Sequence, residues 1–211
     1  SGVDKARALQ CLSMAVYYEA ASESYGGQQA VAQVVLNRVA HPAYPASVCG
    51  VVFQGSERTT GCQFSFTCDG SLRRTPARRG WAVAQSVALA ALAGEVYRPI
   101  GLATHYHTNY VNPYWAASLD YIRTIGAHRF YRWKGGAGTA GAFTDAYAGS
   151  EPLAAPTVRR ADVRELDNQM PSESEQDALS RSLLAKFEEY VKLSKKVAPE
   201  IMNSVSSIDE V

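Results

Sequence analysis

Aromatic residues and cysteines are concentrated in the first two thirds of the chain, and this asymmetry restricts where a folded domain can lie. Residues 4–134 contain all four cysteines, all four histidines, all three tryptophans and ten of the twelve tyrosines. Large aromatic side chains supply much of the buried area of a core. We therefore predict one domain over 4–134, a Gly/Ala/Pro-rich linker over 135–162 and a charged helical segment over 163–211.

Hydrophobic periodicity assigns the domain to the α+β class. Apolar residues recur with a helical period in three segments and alternate as in strands in three others. The predicted helices are 5–19, 27–39 and 79–96. The predicted strands are 63–66, 103–110 and 128–133. Helices come first and short strands follow, so no repeating βαβ unit is expected.

Charge and hydropathy exclude two classes of partner. The net charge is +1, so no overall positive field favours nucleic acid. No apolar run is long enough to span a bilayer. The chain begins with Ser-Gly and has no signal-peptide core, so the sequence itself does not show whether the protein carries an export signal.

The four cysteines predict two disulfides, because their number is even and they cluster in the first third of the chain. Three pairings remain open. Reduced, packed thiols are the alternative, and a zinc site is disfavoured because no C-x2-C spacing occurs. The cysteines are Cys11, Cys49, Cys62 and Cys68. Disulfides predict an oxidising location, either the periplasm or outside the cell.

Glu19 is the candidate acid/base, because it ends a largely apolar predicted helix and follows Tyr17 and Tyr18. The negative end of a helix dipole and apolar walls both favour the protonated carboxyl group. A glutamic acid that stays protonated near neutral pH can protonate the leaving oxygen of a glycosidic bond.

Three segments interleave aromatic residues with Asn, Ser, Gln and His, a composition that suits the apolar faces and hydroxyl rims of sugars. The segments are CQFSFTCDG, ATHYHTNYVNPYW and IGAHRFYRW. An aromatic-rich core accounts for the same composition. The candidate substrate-binding residues are Gln63, Ser65, Tyr106, Asn109, Tyr110 and Trp115.

Several blocks over residues 9–133 resemble, in order and spacing, the spore-cortex-lytic SleB-like family of cell-wall hydrolases in its proteobacterial form. The blocks are YYEA…SE, GQQAVAQVVLNRV, YPASVCGVVFQGSE, GCQFSFTCDG, ATHYHTNYVNPYW and GAHRFYRW. The resemblance implies a lysozyme-like catalytic domain that cleaves peptidoglycan between N-acetylmuramic acid and N-acetylglucosamine. It implies no cofactor or metal, and it supports a structural role for the cysteines.

The resemblance places the catalytic acid on Glu19 and the second motif glutamate on Glu23. Ala21-Ser22 stands where the family usually has Arg-Gly, which removes a cation near Glu19. If the helix continued, Glu23 would lie on the same face as Glu19 rather than across the scissile bond. A lytic transglycosylase needs no second carboxylate, because the muramic acid 6-hydroxyl attacks its own anomeric carbon.

Two other functions compete with this hypothesis. His105 and His107, with His128 and a carboxylate, could form the zinc site of a cell-wall amidase, although no H-E-x-x-H signature is present. A non-catalytic wall-binding module is the other alternative, with an arginine-rich stretch that meets anionic wall polymers or is simply solvated. The arginines are Arg73, Arg74, Arg78 and Arg79.

The C-terminal segment carries an apolar stripe that predicts an amphipathic helix, which would pack on the domain or on another copy. The stripe is Leu179, Leu183, Phe187, Tyr190 and Val191. Residues 173–209 resemble a helical stretch in the N-terminal region of Lon proteases. They contain no nucleophile and no ATP-binding loop, so they imply no proteolysis. We favour a fusion or join over chance resemblance of an amphipathic helix, and we assign the segment no catalytic role.

Overall fold

The computed structural model describes residues 2–59 and 61–152, which form helices packed beside a small antiparallel sheet. This arrangement confirms the predicted α+β class. The helices are α1 (Gly2–Ala20), α2 (Tyr25–Val39), α3 (Val48–Val52) and α4 (Arg78–Leu92). The strands are β1 (His105–Thr108), β2 (Asp120–Ile125) and β3 (His128–Arg132). The predicted C-terminal amphipathic helix and the Lon-like segment lie outside the described residues.

The helices share one apolar core, centred on α1. Leu12, Ala15 and Val16 of α1 are completely buried against residues of α2, α3 and α4. Helix α1 ends at Ala20, and Ser24 begins the next helix by accepting a hydrogen bond from the Gly27 amide at 3.2 Å. The break between these two helices leaves Glu19 in the last turn of α1.

The sheet has the order β1-β3-β2 and is antiparallel throughout. Tyr106 lies opposite Phe130, and the two rings share one face because side chains alternate along a strand. That face packs on α2, where Phe130 contacts a cluster that includes Ala30 and Val34. His105 and His107 point to the other face. The sheet therefore presents Tyr106 to the helices.

The strand predicted over 63–66 is wrong, because this segment contains one turn of 3-10 helix over Ser65–Thr67. Phe64 is extended, and the chain then bends so that the amides of Cys68 and Asp69 both donate to the Ser65 carbonyl. The alternation of Phe64 and Phe66 reflects two buried rings on a loop rather than a strand.

Two disulfides are present, as the cysteine count predicts. Cys11–Cys49 joins α1 to α3, and Cys62–Cys68 closes a short loop after α3. The first bond fixes the helical core, and the second holds the segment that the sequence misidentified as a strand.

The described part of the predicted linker lies along the domain. The amides of Asp145 and Ala148 donate to the carbonyls of Ala40 and Ala46. Glu151 is buried, and its carboxylate accepts hydrogen bonds from the first amides of α3, at 3.0 and 2.7 Å. Within the described ranges, no helix has the length and hydropathy needed to cross a bilayer.

Candidate active site

Glu19 lies where the last turn of α1 meets strand β1. The Tyr106 hydroxyl donates a hydrogen bond to Glu19 Oε2 at 2.9 Å. The buried face of α1 fixes the backbone of this glutamate, and the packing of β1 on α2 fixes the tyrosine. The carboxyl group is therefore held in one orientation by elements far apart in the sequence.

Burial raises the pKa of Glu19 above its usual value, and the negative charge of Asp69 raises it further. The hydrogen bond from Tyr106 and the positive charge of Arg38 act in the opposite direction, but burial is the largest effect. The sequence predicts this direction from the apolar surroundings of the helix end. A carboxyl group of this kind can donate a proton closer to neutral pH than an exposed one.

Arg38 is a buried cation beneath the site, and sequence reasoning missed it. Its side chain is 4% exposed, and its Nε donates to the Thr104 carbonyl at 2.7 Å. With the Gln63 amide oriented so that its oxygen faces the guanidinium, this oxygen accepts from Arg38 at 2.9 and 3.3 Å. The guanidinium also lies 5.4 Å from the ring centres of Tyr44 and of Phe64. The sequence feature that could have revealed Arg38 is its position among the buried apolar residues of α2.

Gln63 is thus brought next to the site by Arg38, whereas Ser65 is exposed at the start of the 3-10 turn. The Ser65 carbonyl shapes this loop by accepting the amides that follow it. Tyr18, adjacent to Glu19, stacks on Phe66 with ring centres 4.8 Å apart. The loop therefore forms one wall beside the carboxyl group.

Asp69 is a second carboxylate near Glu19, and sequence reasoning did not select it. It follows the Cys62–Cys68 bond directly, and its Oδ1 accepts the Ser71 amide at 2.8 Å. The side chain is exposed. Its proximity to Glu19 depends on the disulfide-closed loop, which no local pattern predicts.

Glu23 does not lie one helical turn beyond Glu19, because α1 ends at Ala20. Both of its carboxylate oxygens lie 3.3 Å from the Ala127 amide, in the turn between β2 and β3. Gly126 in this turn has φ of +56°, and a Cβ there would collide with the Glu23 carboxylate. The backbone N–H of Asn109 donates to the Ala127 carbonyl at 2.7 Å, and the residue is exposed. Glu23 and Asn109 thus hold the same turn.

Glu23→Ala is expected to lower the free energy of unfolding by about 1–3 kcal/mol, because the Ala127 amide loses its acceptor. Glu23→Gln should lose less, since the amide oxygen can still accept this hydrogen bond. Urea denaturation of both variants measures the difference. Equal stability of the alanine variant and the wild type would contradict the assigned contact.

The ring nitrogens of His105 and His107, two of the three histidines that the zinc alternative requires, have protein partners, whereas the buried Nδ1 of His128 has none. His105 pairs with the Thr104 hydroxyl at 2.9 Å and with the Tyr44 hydroxyl at 3.4 Å, and burial lowers its pKa to about 4. His107 pairs with the Thr108 carbonyl at 2.8 Å and with the Tyr131 hydroxyl at 2.9 Å. Across 2–59 and 61–152, no group of three or more His, Cys, Asp or Glu side chains is arranged to hold a metal. The geometry gives the zinc-amidase alternative no support.

The last two candidate substrate-binding residues lie in different environments. Tyr110 is 80% exposed just beyond β1. Trp115 packs against His105 and His107, on the sheet face opposite Tyr106. The contacts of Trp115 are therefore those of an aromatic cluster on the outer face of the sheet.

These observations define the class of protein: an α+β domain that holds a buried carboxyl group with a raised pKa between a helix end and a small sheet. The cell wall hydrolase family model matches residues 22–131, which is more than half of the chain. The chain belongs to the cell wall hydrolase family. The matched region begins just after Glu19, so the candidate role of Glu19 rests on the geometry described above.

The curated relatives include spore cortex-lytic enzymes. Over 123 residues, or 58% of this chain, the protein of Halalkalibacterium halodurans is 37% identical and that of Bacillus subtilis is 32% identical. The chain spans only 34% and 36% of their lengths. The solved catalytic domain of the germination-specific lytic transglycosylase SleB from Bacillus anthracis is 32% identical, with a TM-score of 0.49. That comparison covers 59% of this chain and 93% of the solved chain.

A different protein matches part of the chain. The Lon protease of Brevibacillus choshinensis is 53% identical over 45 residues, which is 21% of this chain and 6% of the protease. A match this short carries no proteolytic function over to this chain.

Proposed function

We propose that this chain is a peptidoglycan-degrading glycosidase that cleaves between N-acetylmuramic acid and N-acetylglucosamine, with Glu19 as its acid/base. The observation that carries the proposal is the buried Glu19 carboxyl group, with a raised pKa and a hydrogen bond from Tyr106. Membership of the cell wall hydrolase family supports the substrate class. A periplasmic or secreted location belongs to the same proposal, and the two disulfides support it.

In the first step, protonated Glu19 donates its proton to the glycosidic oxygen, and the bond to the muramic acid anomeric carbon breaks. Burial raises the pKa of Glu19, which favours the protonated form before the substrate binds. The carboxylate that forms is then stabilised by the Tyr106 hydroxyl and by the charge of Arg38. The site therefore favours the acid before proton transfer and tolerates the base after it.

In the second step, the muramic acid 6-hydroxyl attacks the anomeric carbon, and the Glu19 carboxylate takes the hydroxyl proton. The product carries a 1,6-anhydro bond, and no water is consumed. Glu23 is engaged by the Ala127 amide, so it has a positioning role for the β2–β3 turn in this proposal. An intramolecular nucleophile needs little further orientation, so a single acid/base suffices.

Ala21-Ser22 replaces the Arg-Gly that the family usually has between the two glutamates, but a positive charge still lies near Glu19. Ala21 and Ser22 lie in the exposed turn after α1. Arg38 supplies positive charge at Glu19 from the buried side. This charge supports catalysis over the wall-binding alternative.

Digestion of purified peptidoglycan in ¹⁸O-labelled water tests the mechanism. We expect fragments that end in 1,6-anhydromuramic acid and contain no ¹⁸O. Reducing-end sugars that carry ¹⁸O would contradict transglycosylation and identify a hydrolase. Asp69 would then be the carboxylate to replace first, because its charge reaches Glu19.

Tyr106→Phe is expected to move the alkaline limb of the kcat/KM profile to higher pH. The lost hydrogen bond stabilises the Glu19 carboxylate, so its removal raises the pKa of Glu19 further. The protonated acid then persists to higher pH, although the maximum rate should fall because the product carboxylate loses a donor. Initial rates of fragment release from peptidoglycan across pH measure this shift.

Asp69→Asn is the matched counterpart of Tyr106→Phe, and it should move the alkaline limb of the kcat/KM profile in the opposite direction. Removal of this negative charge lowers the pKa of Glu19, so the alkaline limb moves to lower pH. Shifts in the same direction for both variants would contradict the assignment of the limb to Glu19.

A further inference from the structure

Four exposed arginines form a basic rim on the segment that packs against the last turn of α1. The rim lies between the loop closed by Cys62–Cys68 and the first turn of α4. Its members are Arg73, Arg74, Arg78 and Arg79, all of them exposed. The described residues show no ion pair to any of the four, and no acidic residue occurs between Asp69 and Glu95. The Arg74 guanidinium donates to the Ser71 hydroxyl at 2.9 Å, but the rim is positively charged and has no salt-bridge partner within the described ranges.

The arginine rim is tied directly to the last turn of α1. The Tyr18 hydroxyl donates to the Arg74 carbonyl at 3.2 Å, and the Ala77 amide donates to the Tyr17 hydroxyl at 2.8 Å. Tyr17 and Tyr18 immediately precede Glu19. The backbone of the rim is thus held against the helix turn that carries Glu19.

Helix stability does not account for two of these arginines. Arg78 and Arg79 occupy the first turn of α4, where the helix dipole disfavours positive charge. This turn has no acidic residue, and no side chain caps it. Residues that oppose the local preference of their element are expected at functional sites.

We infer that the arginine rim binds the carboxylates of the peptide stem that peptidoglycan carries on its muramic acid residues. This inference rests on the proposed function. The stem leaves the sugar ring next to the bond to be cleaved, and its free carboxylates complement guanidinium groups. The rim therefore selects peptide-bearing glycan over glycan stripped of its stems.

The test compares two substrates prepared from the same Gram-negative sacculi, which contain no teichoic acid phosphates. One is left intact, and the other is freed of its stems by an N-acetylmuramyl-L-alanine amidase. The test variant replaces all four rim arginines by glutamine. The control variant makes the same change at four exposed arginines elsewhere: Arg58, Arg98, Arg123 and Arg129.

The rim variant should lose about tenfold in kcat/KM on intact glycan, because exposed ion pairs are individually weak and add over four side chains. The loss should be confined to peptide-bearing glycan and should shrink as salt is added. The control variant should keep the wild-type preference. An unchanged preference in the rim variant, or an equal loss on both substrates, overturns the inference. Failure of the wild type to cleave either substrate overturns the proposed function itself.

Discussion

Glu19→Gln is expected to lower the rate of glycan cleavage by roughly 10²–10⁴-fold, the usual contribution of a general acid/base. The amide has nearly the same shape and can still accept the Tyr106 hydrogen bond, but it has no proton to donate to the glycosidic oxygen. Fragment release from purified peptidoglycan under initial-rate conditions measures the loss. A variant that retains most of the wild-type rate would contradict the role of Glu19.

The same variant should fold at least as stably as the wild type at neutral pH. Burial raises the folded-state pKa of Glu19, so the folded chain holds this proton more tightly than the unfolded chain does. The stabilisation from this tighter proton binding is fully present below the pKa that Glu19 has in the unfolded chain. It is lost as the pH rises through the pKa of Glu19 in the folded chain. Glutamine has no such loss. Thermal unfolding and co-sedimentation with sacculi therefore show whether a slow variant lacks only the catalytic acid or has failed to fold.

Arg38→Gln is expected to lower the free energy of unfolding by about 3 kcal/mol or more. The guanidinium donates to the Thr104 carbonyl and to the Gln63 side chain, and a hydrogen bond to a charged group contributes about 1.5–3 kcal/mol. The shorter side chain also leaves the rings of Tyr44 and Phe64 without their cation. Urea denaturation measures the change.

The matched control is Arg58→Gln, which removes an exposed arginine whose partner is Glu57. An exposed pair of this kind contributes about 0–1 kcal/mol. Comparable destabilisation by the two substitutions would contradict the description of Arg38 as a buried support of the site. Cleavage should also slow in Arg38→Gln, because the Glu19 carboxylate loses a nearby positive charge.

The features that the sequence predicts correctly depend on local periodicity or on composition. The buried stripes of α1 and α2 extend over several turns, so both helices could be located to within a few residues. The even, clustered cysteines indicated two disulfides. Glu19 could be selected because the helix end and the apolar residues before it are neighbours in the chain.

The features that the sequence missed depend on distant contacts. Asp69 reaches Glu19 only because the Cys62–Cys68 loop bends toward α1, and Arg38 reaches the site only because α2 packs beside it. The predicted helix over 5–19 leaves Glu23 beyond its end, as observed, but the contact of Glu23 with the Ala127 amide joins residues 104 positions apart.

Two elements were missed because each departs from a regular pattern. Helix α3 has only five residues, too few to show a period. Strand β2 contains a register shift between Tyr121 and Arg123, which interrupts the alternation that marks a strand.

The most direct test of the central claim is to incubate purified peptidoglycan with the wild-type protein and with Glu19→Gln, and to identify the soluble fragments by mass spectrometry. We predict fragments that end in 1,6-anhydromuramic acid with the wild type and none above background with the variant. Equal release of these fragments by both proteins would contradict Glu19 as the acid/base. The absence of release by the wild type, while it still sediments with the wall, would contradict the proposed catalysis.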